Sequence, residues 1–145
     1  MGGLAANVYG SPLVTTDIDV TPQRSNENLS RLSVALEELD ARIWTQEEPE
    51  GFPFDHDAES LAGVEILHMV TRFGRFDVTM TPAGTAGYSD LRREAERLHV
   101  FGVEILVASL ADIVRSKQAS GRDKDLRDLP VLRRLLDEGP PAVTS

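Results

Sequence analysis

Two carboxylates, Asp17 and Asp19, sit one residue apart in the run Val14-Thr15-Thr16-Asp17-Ile18-Asp19-Val20-Thr21, flanked by β-branched residues. Such residues favour a strand, and one is predicted from about Leu13 to Thr21, opening after the turn-forming Gly10-Ser11-Pro12 and closing at Pro22. Alternation along it puts Thr15, Asp17, Asp19 and Thr21 on one face and Val14, Thr16, Ile18 and Val20 on the other. Both acids then point the same way. Anions held that close repel unless a proton or a cation lies between them, and a hard divalent ion with oxygen ligands suits carboxylates. The first expectation is a Mg²⁺-dependent site.

The rest of the chain reads as alternating helices and strands. Ser25 is placed to cap a helix whose Leu29, Leu32, Leu36 and Leu39 form one apolar stripe for packing on a sheet. Residues 45–62, acidic and punctuated by Pro49, Gly51 and Pro53, read as a mobile connection. A second β region spans about Glu65 to Thr81 with Phe73-Gly74-Arg75 as its turn, so that Phe76, Val78 and Met80 face a core while Arg75, Asp77, Thr79 and Thr81 face outward. Asp77 becomes a third candidate carboxylate. A short helix is expected from Ser89 to Leu98, a strand from Val100 to Val107, and a helix capped by Ser109 and ended by Gly121. A last helix carries Leu129, Leu132, Leu135 and Leu136, restarted at Pro130, before Gly139-Pro140-Pro141 and a frayed tail.

A chain of 145 residues suits one domain, here drawn as 1–138 with 139–145 as tail. It contains no cysteine, so disulfides and thiolate metal sites are excluded. The expected setting is cytoplasmic and without a membrane, because no apolar run approaches the ~18 residues that a spanning helix needs. A net charge of −9 disfavours broad attraction to nucleic acid. The charge is also polarised: residues 27–59 hold ten acids against Arg31 and Arg42, whereas 112–134 hold seven basic residues against four acids. That basic stretch suits a triphosphate or a nucleic-acid end, or is a solvated helix face.

A glycine pair, an Asp-x-Asp strand and a further strand acid make an arrangement suited to nucleotidyl transfer, in which backbone amides approach phosphates and carboxylates hold metal on them. Gly2-Gly3-Leu4-Ala5-Ala6, Tyr9-Gly10-Ser11 and Thr15-Thr16-Asp17-Ile18-Asp19-Val20 together resemble the signature of minimal nucleotidyltransferases of the DNA polymerase β superfamily. The similarity is greatest to the bacterial group related to AbiEii-type toxins of toxin-antitoxin systems. Two later segments resemble that group as well: Thr71-Arg72-Phe73-Gly74-Arg75-Phe76-Asp77-Val78, and Val107 to Lys117 followed by Gly121-Arg122-Asp123-Lys124-Asp125-Leu126.

The resemblance implies an α+β, polymerase β-like fold with helices packed on a mixed sheet, and transfer of an NMP from an NTP to an RNA 3′ end such as tRNA, or to a protein hydroxyl. It implies Asp17, Asp19 and Asp77 as Mg²⁺ ligands, with Asp77 also positioned to accept a proton. Gly2 and Gly3 would meet the triphosphate, Lys117 and Arg122 the nucleotide, and Asp125 would be an accessory polar position. An antitoxin partner is implied too. Some have a plainer reading: Lys117 and Arg122 as an exposed helix end and Asp125 as a helix cap; Trp44 and Phe101 are read as core or edge packing rather than as a base-stacking platform. His56, His68 and His99 are dispersed and are not expected to be ligands or bases.

Met1 immediately precedes Gly2, so the helix and strand that the family places before the glycine pair are expected to be missing. An exposed sheet edge of that kind favours self-association. The alternative is a noncatalytic or partner-dependent binding protein with the same fold; a DxD glycosyltransferase fits less well, since such domains generally need a longer chain.

Overall fold

The computed structural model describes residues 1–13 and 17–138. In chain order the elements are α1 (Gly2–Val8), β1 (Asp17–Val20), α2 (Asn26–Glu38), β2 (Arg42–Ile43), α3 (Ala58–Ala62), β3 (Ile66–Thr71), β4 (Gly74–Thr79), α4 (Tyr88–Leu91), β5 (Glu96–Val100), β6 (Val103–Val107), α5 (Leu110–Ser120) and α6 (Asp123–Glu138). The face assignments made for Val14, Thr15 and Thr16, and the tail 139–145, lie outside the described residues. Contacts gather into two compact units, one of Met1–Thr15 with Pro82–Ser145 and one of Thr16–Thr81. No helix is long and apolar enough to cross a membrane among the described residues.

In the unit 16–81 the strands form a mixed sheet in the order β1-β4-β3-β2, with β1 parallel to β4 and the other pairs antiparallel. Helices α2 and α3 supply Leu29, Leu36 and Leu61 to a core completed by Leu67, Met69, Val78 and Met80. The cap matches expectation, since Ser25 Oγ accepts from the Asn28 backbone N–H at 3.2 Å; of the leucine stripe, Leu29 and Leu36 are buried and Leu32 partly so, whereas Leu39 lies just past the end of α2. The stretch 45–62 is not a loose connection. Phe52 bridges to Ile43, and Asp57 caps α3 by accepting from the Ser60 N–H at 2.7 Å, which seats Leu61 in the core. Gly51, at φ +81°, is required by this close passage: a Cβ there would lie 2.6 Å from Arg42 Cβ.

The hairpin turns at Arg72-Phe73, with Gly74 and Arg75 already inside β4, so the turn lies one residue earlier than the sequence suggests. Thr71 explains the shift: its hydroxyl accepts from the Phe73 N–H at 3.1 Å and donates to the Gly74 carbonyl at 3.2 Å, closing the bend locally.

In the unit 1–15 with 82–145, α1 contributes Ala5 and Ala6 to a core built with Val107, Ala108, Leu110, Ile113, Val114, Leu129 and Leu132. Ser109 caps α5 through the Asp112 N–H at 3.1 Å, and Gly121 ends it in the left-handed conformation, as expected. The expected helix 89–98 stops at Leu91, and the expected single strand 100–107 is instead the hairpin β5–β6, a separate two-stranded sheet. Glu96, Leu98 and Val100 follow a period of two, and Phe101-Gly102, both at positive φ, supply a two-residue turn. Phe101 at that tip is fully exposed, which corrects its assignment to packing. Helix α6 runs through Pro130 without restarting, anchored on either side by buried Leu129 and Leu132.

Candidate metal centre

Parallel pairing of β1 with β4 sets Asp19 opposite Asp77 and Asp17 opposite Arg75. Because alternate residues share a face, Asp17, Asp19, Arg75 and Asp77 crowd one side of two neighbouring strands. Carboxylate oxygens of Asp17, Asp19 and Asp77 all lie within 4.8 Å of one another. The three acids named from sequence therefore meet. All three donors are carboxylate oxygens, which suits a hard divalent cation without singling out Mg²⁺.

Asp77 does not face solvent as its alternation suggested. It lies on the polar face of β4 yet is only 7% exposed, because neighbouring strands flank it on both sides. Burial pushes its pKa above the ordinary carboxylate range, and a hydrogen bond with Asp17 adds to the rise, against opposition from His68 and Arg75. Two carboxylates at that separation share a proton or a cation more readily than they both ionise. Two further side chains meet Asp77 at Oδ1: His68 Nδ1 at 3.3 Å and the Arg75 guanidinium at 3.4 Å.

His68 was among the histidines set aside, and it is the cross-strand partner of Asp77. Nothing in the local sequence marks it; only the β3–β4 register does. Trp44 extends the edge strand, its N–H donating to the His68 carbonyl at 2.9 Å, and the Arg75 guanidinium lies 3.6 Å from its ring centroid.

The remaining candidates belong to the other unit. Gly2 and Gly3 begin α1, with Gly2 at φ +72°. Lys117, Arg122 and Asp125 meet in a second cluster. Asp125, 1% exposed, accepts from Ser120 Oγ at 2.7 Å, Arg122 Nε at 2.7 Å and Lys117 Nζ at 3.3 Å. Burial alone would raise the Asp125 pKa, but Arg122, Ser120 and Lys117 outweigh it and hold the carboxyl below its ordinary value. Asp125 is thus the centre of an ion-pair network and not a solvent-facing helix cap. Lys117, whose side chain is 13% exposed and also reaches Asp128 at 3.5 Å, is not an exposed helix end; Arg122 remains largely exposed.

No protein-family model matches this chain, and no curated protein matches it.

Proposed function

We propose that the chain is a divalent-cation-dependent nucleotidyltransferase that moves an NMP from an NTP to a hydroxyl acceptor, an RNA 3′ end or a protein side chain. The observation that carries the reading is the meeting of Asp17, Asp19 and Asp77 within 4.8 Å on two parallel strands. Asp17, Asp19 and Asp77 would hold Mg²⁺. When bound, the cation would withdraw charge from the phosphate oxygens and align the triphosphate. The acceptor oxygen attacks the α-phosphorus, the bond to the β-phosphate oxygen breaks, pyrophosphate leaves, and the acceptor proton passes to Asp77. Asp77 suits that proton, since burial and the hydrogen bond with Asp17 raise its pKa above the ordinary carboxylate range. Most of the rate then comes from positioning and electrostatics.

Gly2, Gly3, Lys117 and Arg122 enter as nucleotide contacts, and Asp125 as an accessory position, through the family resemblance of their segments. The same resemblance extends the reading to a toxin held by an antitoxin partner. The test is transfer from NTPs labelled at the α-phosphate, with Mg²⁺ and separate RNA and protein acceptor pools. Wild type is expected to label one pool, whereas folded Asp17→Ala plus Asp19→Ala labels neither. A folded wild type that labels nothing while retaining a bound partner would point to the noncatalytic alternative.

A further inference from the structure

Arg75 is held at three points. Its guanidinium stacks on Trp44 at 3.6 Å, its Nε donates to the Met69 carbonyl at 3.3 Å, and its Nη2 donates to Asp77 Oδ1 at 3.4 Å. The first two contacts lie outside the acid cluster, so the planar fork is fixed independently of the carboxylate that it meets. His68 Nδ1 approaches the same Oδ1 at 3.3 Å. Both side chains thus meet Asp77 at Oδ1.

We propose that Arg75, clamped by Trp44 and the Met69 carbonyl, is the positioning residue of the acid cluster: it fixes Asp77 through Oδ1 and so sets how that carboxylate is presented to the cation and the acceptor. Groups that orient ligating carboxylates commonly change affinity or activity by about tenfold to a hundredfold when removed. The kinetic part rests on the nucleotidyl-transfer reading; the cation part does not. Arg75 also has a signature that a purely structural residue lacks. Its fixed positive charge opposes a cation bound at Asp77, so its removal relieves repulsion while it loosens the carboxylate. Cation affinity and turnover should therefore move in opposite directions.

The test uses the full chain, with Arg75→Met keeping an apolar stem over Trp44, Arg75→Lys keeping a charge without the fork, and Trp44→Leu and Trp44→Phe. Arg75→Met is expected to bind Mg²⁺ in calorimetry at least as tightly as wild type, while kcat falls about tenfold or more and KM for the NTP stays near wild type. Arg75→Lys recovers only part of kcat. Trp44→Leu lowers kcat and Trp44→Phe restores it, and Trp44→Leu adds nothing once Arg75 is Met, because the two act as one unit. Wild-type turnover in Arg75→Met, parallel loss of Mg²⁺ affinity, turnover and Tm, or additive effects of the two sites would each overturn the proposal.

Should wild type bind Mg²⁺ but transfer no label, the nucleotidyl-transfer reading fails by itself and Trp44, the single tryptophan of the chain, decides the positioning claim. Mg²⁺ is expected to shift its emission in wild type and not in Arg75→Met. A shift that survives loss of Arg75, binding without any shift, or no Mg²⁺ binding by wild type overturns it.

Discussion

Asp77 and Asp125 are both buried acids, and their surroundings drive them in opposite directions. Asp77 has its pKa raised, so the folded protein binds this proton more tightly than the unfolded chain does. The stability it contributes is complete below the ordinary carboxylate range and is lost as pH rises through the raised value. Asp77→Asn stays neutral, can accept from Arg75 and His68 through its oxygen, and can donate to Asp17 in place of the shared proton. With chelator present at neutral pH we expect it to melt higher than wild type, the gap closing as pH falls toward about 4; a variant that melts lower at neutral pH would contradict this. Asp125 has its pKa lowered, so its contribution is present above the ordinary range and lost as pH falls through the depressed value. Asp125→Ala leaves Lys117 in a half-closed site without its main partner, and urea unfolding at neutral pH should show a loss of about 3–5 kcal/mol. The alternation Asp17-Ile18-Asp19 made two of the three acids legible as neighbours, and β4 alternation nominated the third. His68 and Trp44 were not legible, because their relation to Asp77 and Arg75 depends on strand register. Asp125 was named beside Lys117 and Arg122, but its burial was not legible, since its mixed-charge surroundings look like a solvated helix face until Ser120 and Lys117 pair with it.

Elements with a capping residue and an apolar stripe were readable. Ser25 starts α2, Ser109 starts α5 and Gly121 ends it, each through a local hydrogen bond or backbone conformation that needs no tertiary partner. Two stretches were not. In 45–62 the prolines, glycine and acids suggest solvent, but Leu61 follows the Asp57 cap and supplies the apolar contact that fixes the segment. In 89–107, Glu94 and Arg97, three residues apart as on a helix face, compete with a two-residue alternation that wins only when β6 pairs with it. The turn of that hairpin leads to an expectation. Phe101 sits at φ 50°, a conformation that asparagine tolerates far better than a bulky ring. Because Phe101 buries nothing, Phe101→Asn should stabilise the protein by about 1 kcal/mol in urea unfolding, the low end of the range for relieving local backbone strain. Destabilisation would mean that the ring has a packing role.

At the scale of the molecule, the order β1-β4-β3-β2 decides whether the acids meet, and the sequence does not state it. Parallel pairing of β1 with β4 joins segments separated by α2, β2, α3 and β3, so Asp19 and Asp77 become neighbours only through long-range closure. Alternating helices and strands were legible from the patterns; the mixed pairing of the sheet, its order and the separate β5–β6 pair were not. The acidic excess of 27–59 falls in the same unit as the three carboxylates, which adds a salt-sensitive attraction for cations to the local oxygen donors. The most direct test is a calorimetric Mg²⁺ titration of the full chain beside folded Asp17→Ala plus Asp19→Ala. The three-carboxylate centre requires saturable binding in wild type that the double variant loses. Binding that is absent from wild type, or equal in the two proteins, would contradict it.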